Sequence, residues 1–582
     1  MSVRNEELAA LFEEFAALLE AQDVEYKPRA YRQAAENIRS HPEPVADLAR
    51  RGGTDAVKEV NRVGDAIASK VVEYVETGEI EELEELRAEL PVDMAALTSV
   101  EGVGPKTVGT LYYELGVRTL DDLEAAARAE EIREVPGFGA KTEENILANL
   151  DFARQSNERQ LLSRARPLAD EIQRHFADVA AVGRSEVAGS LRRWKPTIGD
   201  VDLLVASDDP EAVVEAFTGW EDADAVIEAG PTKASVRSAG IRVDLRVVAP
   251  EEFGAALQHF TGSRDHNISV RDRAIERGLK VNEYGVFDVS DVDDPDAGQR
   301  VGERLACETE ADVYAAIDLP LVPPELREDR GEVEAAAEDR LPDLIEESDV
   351  RGDLHVHTTW SDGRYSVREM VEAAEERGYD YVNVSDHATG PGMVGGVGLS
   401  DDELEEQLAE VREVGDDADI EVFAGVEANV GEDGSVSVGD ALLEQLDCVV
   451  ASPHSALDGD GTERLVRAAE HPEVDVIGHP TGRMLNQRSG LDIDVSTVAT
   501  AAAEANTALE INASPSRLDL SGGAVKLAIE QGATVVVDTD AHSPSNFDLI
   551  RYGVHTARRG WAEVGDVLNA WETDDVRAFL ER

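Results

Sequence analysis

At 582 residues the chain exceeds what one hydrophobic core supports, and roughly three to five domains are expected. Its 122 acidic and 55 basic side chains leave a net charge of −67, spread along the whole length as a hydrated surface rather than gathered in a tail. Two cysteines without CxxC spacing exclude a disulfide scaffold, and no apolar run nears the roughly 20 residues of a helical membrane span, so a cytoplasmic protein without a membrane partner is expected.

Residues 1–150 show the apolar spacing of short amphipathic helices interrupted by glycine. The opening MSVRNEELAALFEEF reads as an amphipathic helix rather than a signal peptide. A repeat follows: RVGDAIASK (62–70), GVGPKTVGT (102–110) and GFGAKTEEN (137–145). Each copy sets glycines in a tight turn directly before a helix, where free N–H groups can meet a phosphate. Plain helical packing can account for a single copy. Three copies resemble helix-hairpin-helix motifs, which grip the DNA backbone without reading sequence, and this makes Gly64, Gly102, Gly104, Gly137 and Gly139 DNA-binding candidates. Arg62 stands where the first copy lacks its first glycine.

Strand signals (DVDLLVAS, ADAVIEAG, KASVRSAG, IRVDLRVV) follow over 152–255, and 256–318 mixes helix with short strands. The charged, proline-punctuated stretch 319–350 is expected to be a linker with some helix. From 351 onward, apolar β runs ending in DLHVHT, YVNVSDH, EVFAGVEANV, CVVASPH, VDVIGHP, ALEINASP and TVVVDTDAH alternate with helical patterns. Seven such strands predict a closed or nearly closed parallel barrel, with reactive residues at the C-terminal strand ends.

In VAGSLRRWKPTIGDVDLLV, Asp200 and Asp202 lie two apart, so both carboxylates project from one face of a strand, and Asp244 in IRVDLRVV can pair alongside. Three carboxylates that hold two hard cations are what phosphoryl transfer requires. A lone DxD in so acidic a chain is ordinarily a solvent-facing strand; the adjacent Gly189-Ser190 and Arg192-Arg193 pairs favour the metal reading. This segment resembles the signature of the family X DNA polymerases, the polymerase-beta-like nucleotidyltransferases, and the likeness extends over 1–318. The resemblance implies that Asp200 and Asp202 bind Mg²⁺ or Mn²⁺ ions and that Asp244 helps deprotonate a primer 3′-OH. It also implies that Gly189, Ser190 and Arg193 hold the triphosphate of a dNTP. In HFTGSRDHNISVR it implies Phe260, Gly262 and Asn267 around the nucleotide and Arg271 on the DNA; His259 departs from the tyrosine usual in the family. The first 80 residues resemble the family's deoxyribose-phosphate lyase domain. Lys70 matches its Schiff-base lysine, which acts as a nucleophile if neighbours lower its pKa. Lys27 and Tyr31 match part of its 5′-phosphate pocket, while Ala66 replaces a phosphate-binding lysine.

Eight of the twelve histidines lie after residue 350. His355, His357, Asp362, His387, Glu427, His454, His479, Asp540 and His542 all fall at predicted strand ends, a set hard to explain as packing and able to hold two or three Mn²⁺, Zn²⁺ or Fe ions. Asp386 is placed to orient His387. His471 and His555 fall outside the pattern and are expected at the surface. The pattern of HxH, DH, Glu, isolated histidines and a final DxH resembles the PHP family, the polymerase and histidinol phosphatase domain. This implies a metal-dependent phosphoesterase on a distorted seven-stranded barrel and, joined to a polymerase, 3′→5′ exonuclease and 3′-end processing.

The expected architecture is multidomain: 1–80 a lyase-like helical domain, 81–151 fingers with the hairpins, 152–255 an α/β nucleotidyltransferase palm, 256–318 a thumb, 319–350 a linker and 351–582 the (β/α)7 PHP barrel. The expected function is repair synthesis in short gaps with 3′-end trimming, carried out by a monomer on gapped or 3′-ended DNA; for lyase activity, a Schiff-base Lys70 and a solvated helix lysine stand as alternatives. A DNA-end scaffold with one degenerate domain, or a small-molecule phosphatase fused to a nucleotidyltransferase, are the alternatives; intact ligand sets speak against the first and the three glycine hairpins against the second. The acidic surface with only nine lysines resembles that of proteins from salt-in, haloarchaeal-type halophiles.

Overall fold

Among the described residues every regular element before residue 159 is helical, which suits a segment of Ala, Leu and Glu with few β-branched runs. The computed structural model describes residues 5–24, 27–39, 45–58, 60, 62–100, 102–295, 297–390 and 397–581. Helices Asp65–Thr77, Pro105–Leu115 and Ala140–Glu158 start directly after Gly64, Gly104 and Gly139. Two residues before each of these glycines the backbone is left-handed, at Arg62 (φ 61°), Gly102 (φ 83°) and Gly137 (φ 95°). The first copy therefore keeps the turn with an arginine in a conformation that favours glycine.

The division at residue 80 does not separate two cores. One apolar cluster runs from Leu8, Phe12 and Phe15 through Ile67 and Val71 to Leu111, Leu123 and Ile146. Helix Pro105–Leu115 lies against Asn5–Ala21 so closely that a Cβ on Gly109 would stand 2.0 Å from the Ala21 carbonyl oxygen.

A five-stranded sheet follows, in the order Arg184–Val187, Asp200–Ala206, Ile241–Val248, Lys233–Ser238, Ala225–Ala229. Its two central strands are parallel, and their register sets Asp202 beside Asp244. Helices Leu162–Ala177 and Pro210–Thr218 supply Leu168, Phe176 and Phe217 to the core against Val236 and Val243. Helices Phe253–Thr261 and Arg264–Ile275 and a small antiparallel sheet complete this half.

The stretch 319–350 is not a linker. Leu319, Val322, Leu326, Val333, Ala336 and Leu344 join Val270, Val281 and Tyr314 in one core. Three of its charged residues, Glu325, Arg327 and Glu332, are buried with partners: Arg327, 0% exposed, bonds to Glu310, and His266 is held between Glu332 (2.6 Å) and Tyr314 (2.8 Å). Composition predicts solvent exposure only when each charge lacks a partner, and here they pair.

Beyond residue 351, seven parallel strands pair in sequence order from Gly352–Val356 to Val535–Asp538. A bridge from Val356 to Ala541 and a bond from Leu354 N to Asp538 bring the first strand against the last, so the barrel is nearly closed. Val576 and Phe579 of helix Thr573–Leu580 join Leu354, Val450 and Val536 in a cluster of their own.

The barrel docks on the palm through helix Ile550–Arg559. His555, expected at the surface, instead stacks on Trp194 with ring centres 3.6 Å apart and donates through Nδ1 to the Glu325 carboxylate, 2.8 Å away. Tyr552 and Leu518 of the barrel domain lie in the palm's apolar core. Burial opposes ionisation of Glu310, Glu325 and Glu328, yet Arg327 and Arg192, His555 and Arg558, and Arg193 and Arg559 respectively bring each from 4.5 down to about 2. A depressed carboxylate contributes stability that is complete above about pH 4.5 and lost as pH falls toward 2, about 3 kcal/mol for each pair. Thermal scans at falling pH should therefore lose Tm more gradually below pH 4.5 in Glu328→Gln than in the parent; equal slopes would count against this docking.

Candidate active sites

The nine strand-end residues converge on one point. Glu427 lies at its centre, with Oε1 at 3.1 Å from His479 Nε2, 3.3 Å from His454 Nε2 and 3.4 Å from His355 Nε2, and Oε2 at 2.5 Å from His387 Nδ1 and 3.7 Å from His357 Nε2. Asp540 Oδ1 approaches His357 at 3.1 Å, and Asp362 approaches His542 at 3.2 Å and His387 at 3.5 Å. His355 Nε2, both nitrogens of His357, His387 Nδ1 and Glu427 Oε2 are buried and, despite these approaches, align no hydrogen bond. Buried polar atoms are ordinarily satisfied, so converging orphaned lone pairs fit divalent cations. Burial disfavours the charged form of His355 and His387, but the carboxylates, Glu510 and Glu427 foremost for His355 and Glu427 and Asp362 for His387, hold both well above the ordinary imidazole range. Burial, reinforced by Arg517, takes His479 down to about 3.

The supporting groups were less visible. Glu510, mid-run in ALEINASP, takes His355 Nδ1 at 2.7 Å; Asn429 holds His454 Nδ1 at 2.8 Å; Asn512 donates to Asp540 at 3.2 Å. A carboxylate in an otherwise apolar strand was the available signal for Glu510. Asp386 does not touch the His387 ring. It accepts from Thr358 N, Thr358 Oγ1, Ser361 Oγ and Gln407, and so pins the loop after the first strand.

In the palm, Asp200, Asp202 and Asp244 bring carboxylate oxygens within 4.8 Å of one another. Burial first, then Asp200 and Asp244, push Asp202 up to about 7, against the pull of Arg193 and Arg246. Such mutual repulsion is what a shared cation relieves. Gly189 (φ 58°) is required here: a Cβ would stand 2.0 Å from Asp202 Oδ2. Ser190 follows in the same short helix, Gly189–Arg192. Asp244 accepts from Arg242 Nε at 2.9 Å and from Ser235 Oγ. A cavity of about 260 Å³ joins Asp202 and Asp244 to Phe260, whose ring carries Arg246 at 4.4 Å. Among the described residues no side chain is common to this carboxylate group and the barrel cluster, so GDVD and DLHVHT contribute to separate clusters.

Family models match at 3–80 (helix-hairpin-helix domain), 94–151 (SAM-like helix-hairpin-helix tandem), 256–328 (DNA polymerase beta thumb) and 353–514 (PHP domain). The chain is 36% identical over 588 residues, 100% of both chains, to the DNA polymerase/3′-5′ exonuclease PolX of Bacillus subtilis. The chain belongs to the PolX family. It is also 24% identical over 335 residues (54% of this chain, 55% of the relative) to DNA polymerase lambda of Rattus norvegicus. A probable phosphatase of Thermoanaerobacter sp. (strain X514) is 31% identical over 214 residues, 34% of this chain and 81% of that protein.

In this PolX chain the thumb match runs ten residues past 318, into the buried stretch mistaken for a linker. Asn267 braces the turn: Nδ2 donates to the carbonyls of His259 and Gly262, and Oδ1 accepts from Gln258. Gly262 is needed beside it, since a Cβ would meet Asn267 Oδ1 at 2.7 Å. Arg271 reaches His259 Nδ1 at 3.4 Å.

Of the three lyase candidates, Lys70 and Tyr31 lie within hydrogen-bonding reach of each other. Lys70 Nζ pairs with Glu82 at 2.7 Å; burial lowers its pKa, but Glu82 and Tyr31 outweigh it and the ammonium is favoured. Tyr31 is buried, stacked on Phe15 at 4.4 Å, while Lys27 is exposed at the start of its helix. A nucleophilic amine needs the opposite shift. Borohydride is therefore expected to trap little or no adduct at Lys70 on a 5′-deoxyribose-phosphate end, and Glu82→Gln should increase trapping; strong trapping by the parent protein would contradict this assignment.

Proposed function

We propose that this enzyme fills short gaps in DNA from dNTPs at the palm and trims 3′ ends at the barrel, serving repair as a cytoplasmic monomer. The observation that carries the reading is the pair of disjoint centres: three carboxylates in one, and imidazoles around a buried glutamate in the other. In the palm, Asp200, Asp202 and Asp244 would hold Mg²⁺ or Mn²⁺, and Ser190 and Arg193 would receive the triphosphate. Asp244, held by Ser235 and Arg242, would take the proton of a primer 3′-OH. In the barrel, the nine ligands would hold two or three Mn²⁺, Zn²⁺ or Fe ions. Divalent ions supply Lewis acidity toward phosphate and a more acidic bound water. Glu510, Asn429 and Asn512 fix the rings and carboxylate that face them, and Glu427, held against its burial well below the ordinary carboxylate range by the surrounding imidazoles, stays ionised. The glycine turns at 64, 102, 104, 137 and 139 offer helix N-termini to the DNA backbone.

A gapped duplex with a label inside the primer strand tests the reading. With Mn²⁺ and dNTPs the primer should lengthen to fill the gap; without dNTPs it should shorten by mononucleotides. Hydrolysis confined to small phosphomonoesters, or DNA binding without either change in length, would overturn it.

A further inference from the structure

The loop that carries Arg193 is gripped from the barrel side. Arg193 donates through Nε to Glu328 at 2.8 Å and through Nη1 to the Thr261 carbonyl at 2.7 Å; among the described residues its Nη2 has no protein hydrogen-bond partner. Arg559, 6% exposed at the end of helix Ile550–Arg559, donates to the Arg193 carbonyl oxygen and, at 3.3 Å, to the same Glu328 oxygen. Helix Gly522–Glu530 makes room for this: a Cβ on Gly522 would stand 2.7 Å from Arg559 Cβ. The next loop residue, Trp194, is held by His555 stacked at 3.6 Å and 7°, with the Arg551 guanidinium 5.3 Å from its ring. Arg551, His555 and Arg559 are spaced four apart, so one stripe of one barrel helix grips two successive residues of the palm loop.

We infer that Arg559 is a positioning residue for the polymerase site, through which the nuclease domain sets how tightly the palm holds its nucleotide. The inference rests on the reading of Arg193 as a triphosphate ligand. A guanidinium recognises phosphate through a fixed fork, so its backbone and its flanking carboxylate must both be held. Arg559 does both at once: it clamps the Arg193 carbonyl and takes a share of Glu328. Without it, Glu328 has only Arg193 and Lys195 among these cations, and competes with an incoming triphosphate for the same fork.

Single-nucleotide insertion and 3′ trimming, measured on the full chain with one gapped duplex, test this. Arg559→Gln should raise KM for dNTP about tenfold, with kcat within about threefold and trimming unchanged, the size expected when a binding group is displaced but not removed. Arg559→Lys should recover part of the loss. Arg558→Gln, at the same interface but bonded to Glu325 and not to Arg193, should leave KM unchanged. An unchanged KM in Arg559→Gln, an equal rise in Arg558→Gln, or parallel loss of both activities in Arg559→Gln and Arg559→Lys overturns the inference. Arg193→Gln separates the two readings. If it leaves KM unchanged, the triphosphate assignment fails whatever Arg559 does; if it raises KM while Arg559→Gln is inert, the positioning role alone fails.

Discussion

Glu427→Gln is expected to lower 3′→5′ trimming by about 10³-fold or more while gap filling stays within about threefold. The swap keeps volume and removes one negative charge from a fully buried position that faces five imidazoles. Glu427 is the carboxylate common to two of the three ligand groups in the barrel, so its loss disturbs more than one ion. Losing about 4 kcal/mol of stabilisation of charge in the transition state corresponds to roughly a thousandfold. Metal content per chain, measured alongside activity, should fall. Trimming that persists with full metal content would remove Glu427 from the centre of the site, and simultaneous loss of gap filling would mean that the barrel site and the palm are not independent.

Asp202→Asn is expected to do the converse: extension falls by about 10³-fold or more, and trimming is retained. It also makes an unusual prediction about stability. Burial, Asp200 and Asp244 raise Asp202 to about 7 from 3.8, so in chelator its ionisation costs folding free energy. That cost starts as pH rises past about 4, grows to pH 7 and is constant above it. Asn carries no such cost. The variant should therefore melt higher than the parent in chelator at pH 8, and the difference should vanish as pH falls toward 4. A variant that melts lower at pH 8 would show that Asp202 is not repelled by its neighbours.

Much of the barrel site is readable in the chain because each ligand ends an apolar β run, and strand ends in parallel βα arrays share one face. The supporting residues are less legible: Glu510 sits within its run, and only three-dimensional closure of the barrel brings it to His355, 155 positions away. Adjacency misled for Asp386, whose neighbour His387 points elsewhere while its own partners come from Thr358, Ser361 and Gln407. Charge misled for 319–350, where Glu325, Arg327 and Glu332 are buried and Glu328 is largely covered because each meets a partner from the thumb, the palm or the barrel. Helical periodicity likewise marks which face of a helix is buried but not against which helix, so the shared core across residue 80 could not be read from it.

The packed stretch 319–350, pinned to the thumb on one side and to helix Ile550–Arg559 on the other, has a kinetic consequence. A tether would let one catalytic centre swing toward the other. A packed wedge does not, so a 3′ terminus that leaves one centre must itself travel to the other. The choice between adding and removing a nucleotide is then expected to follow how readily the DNA end frays.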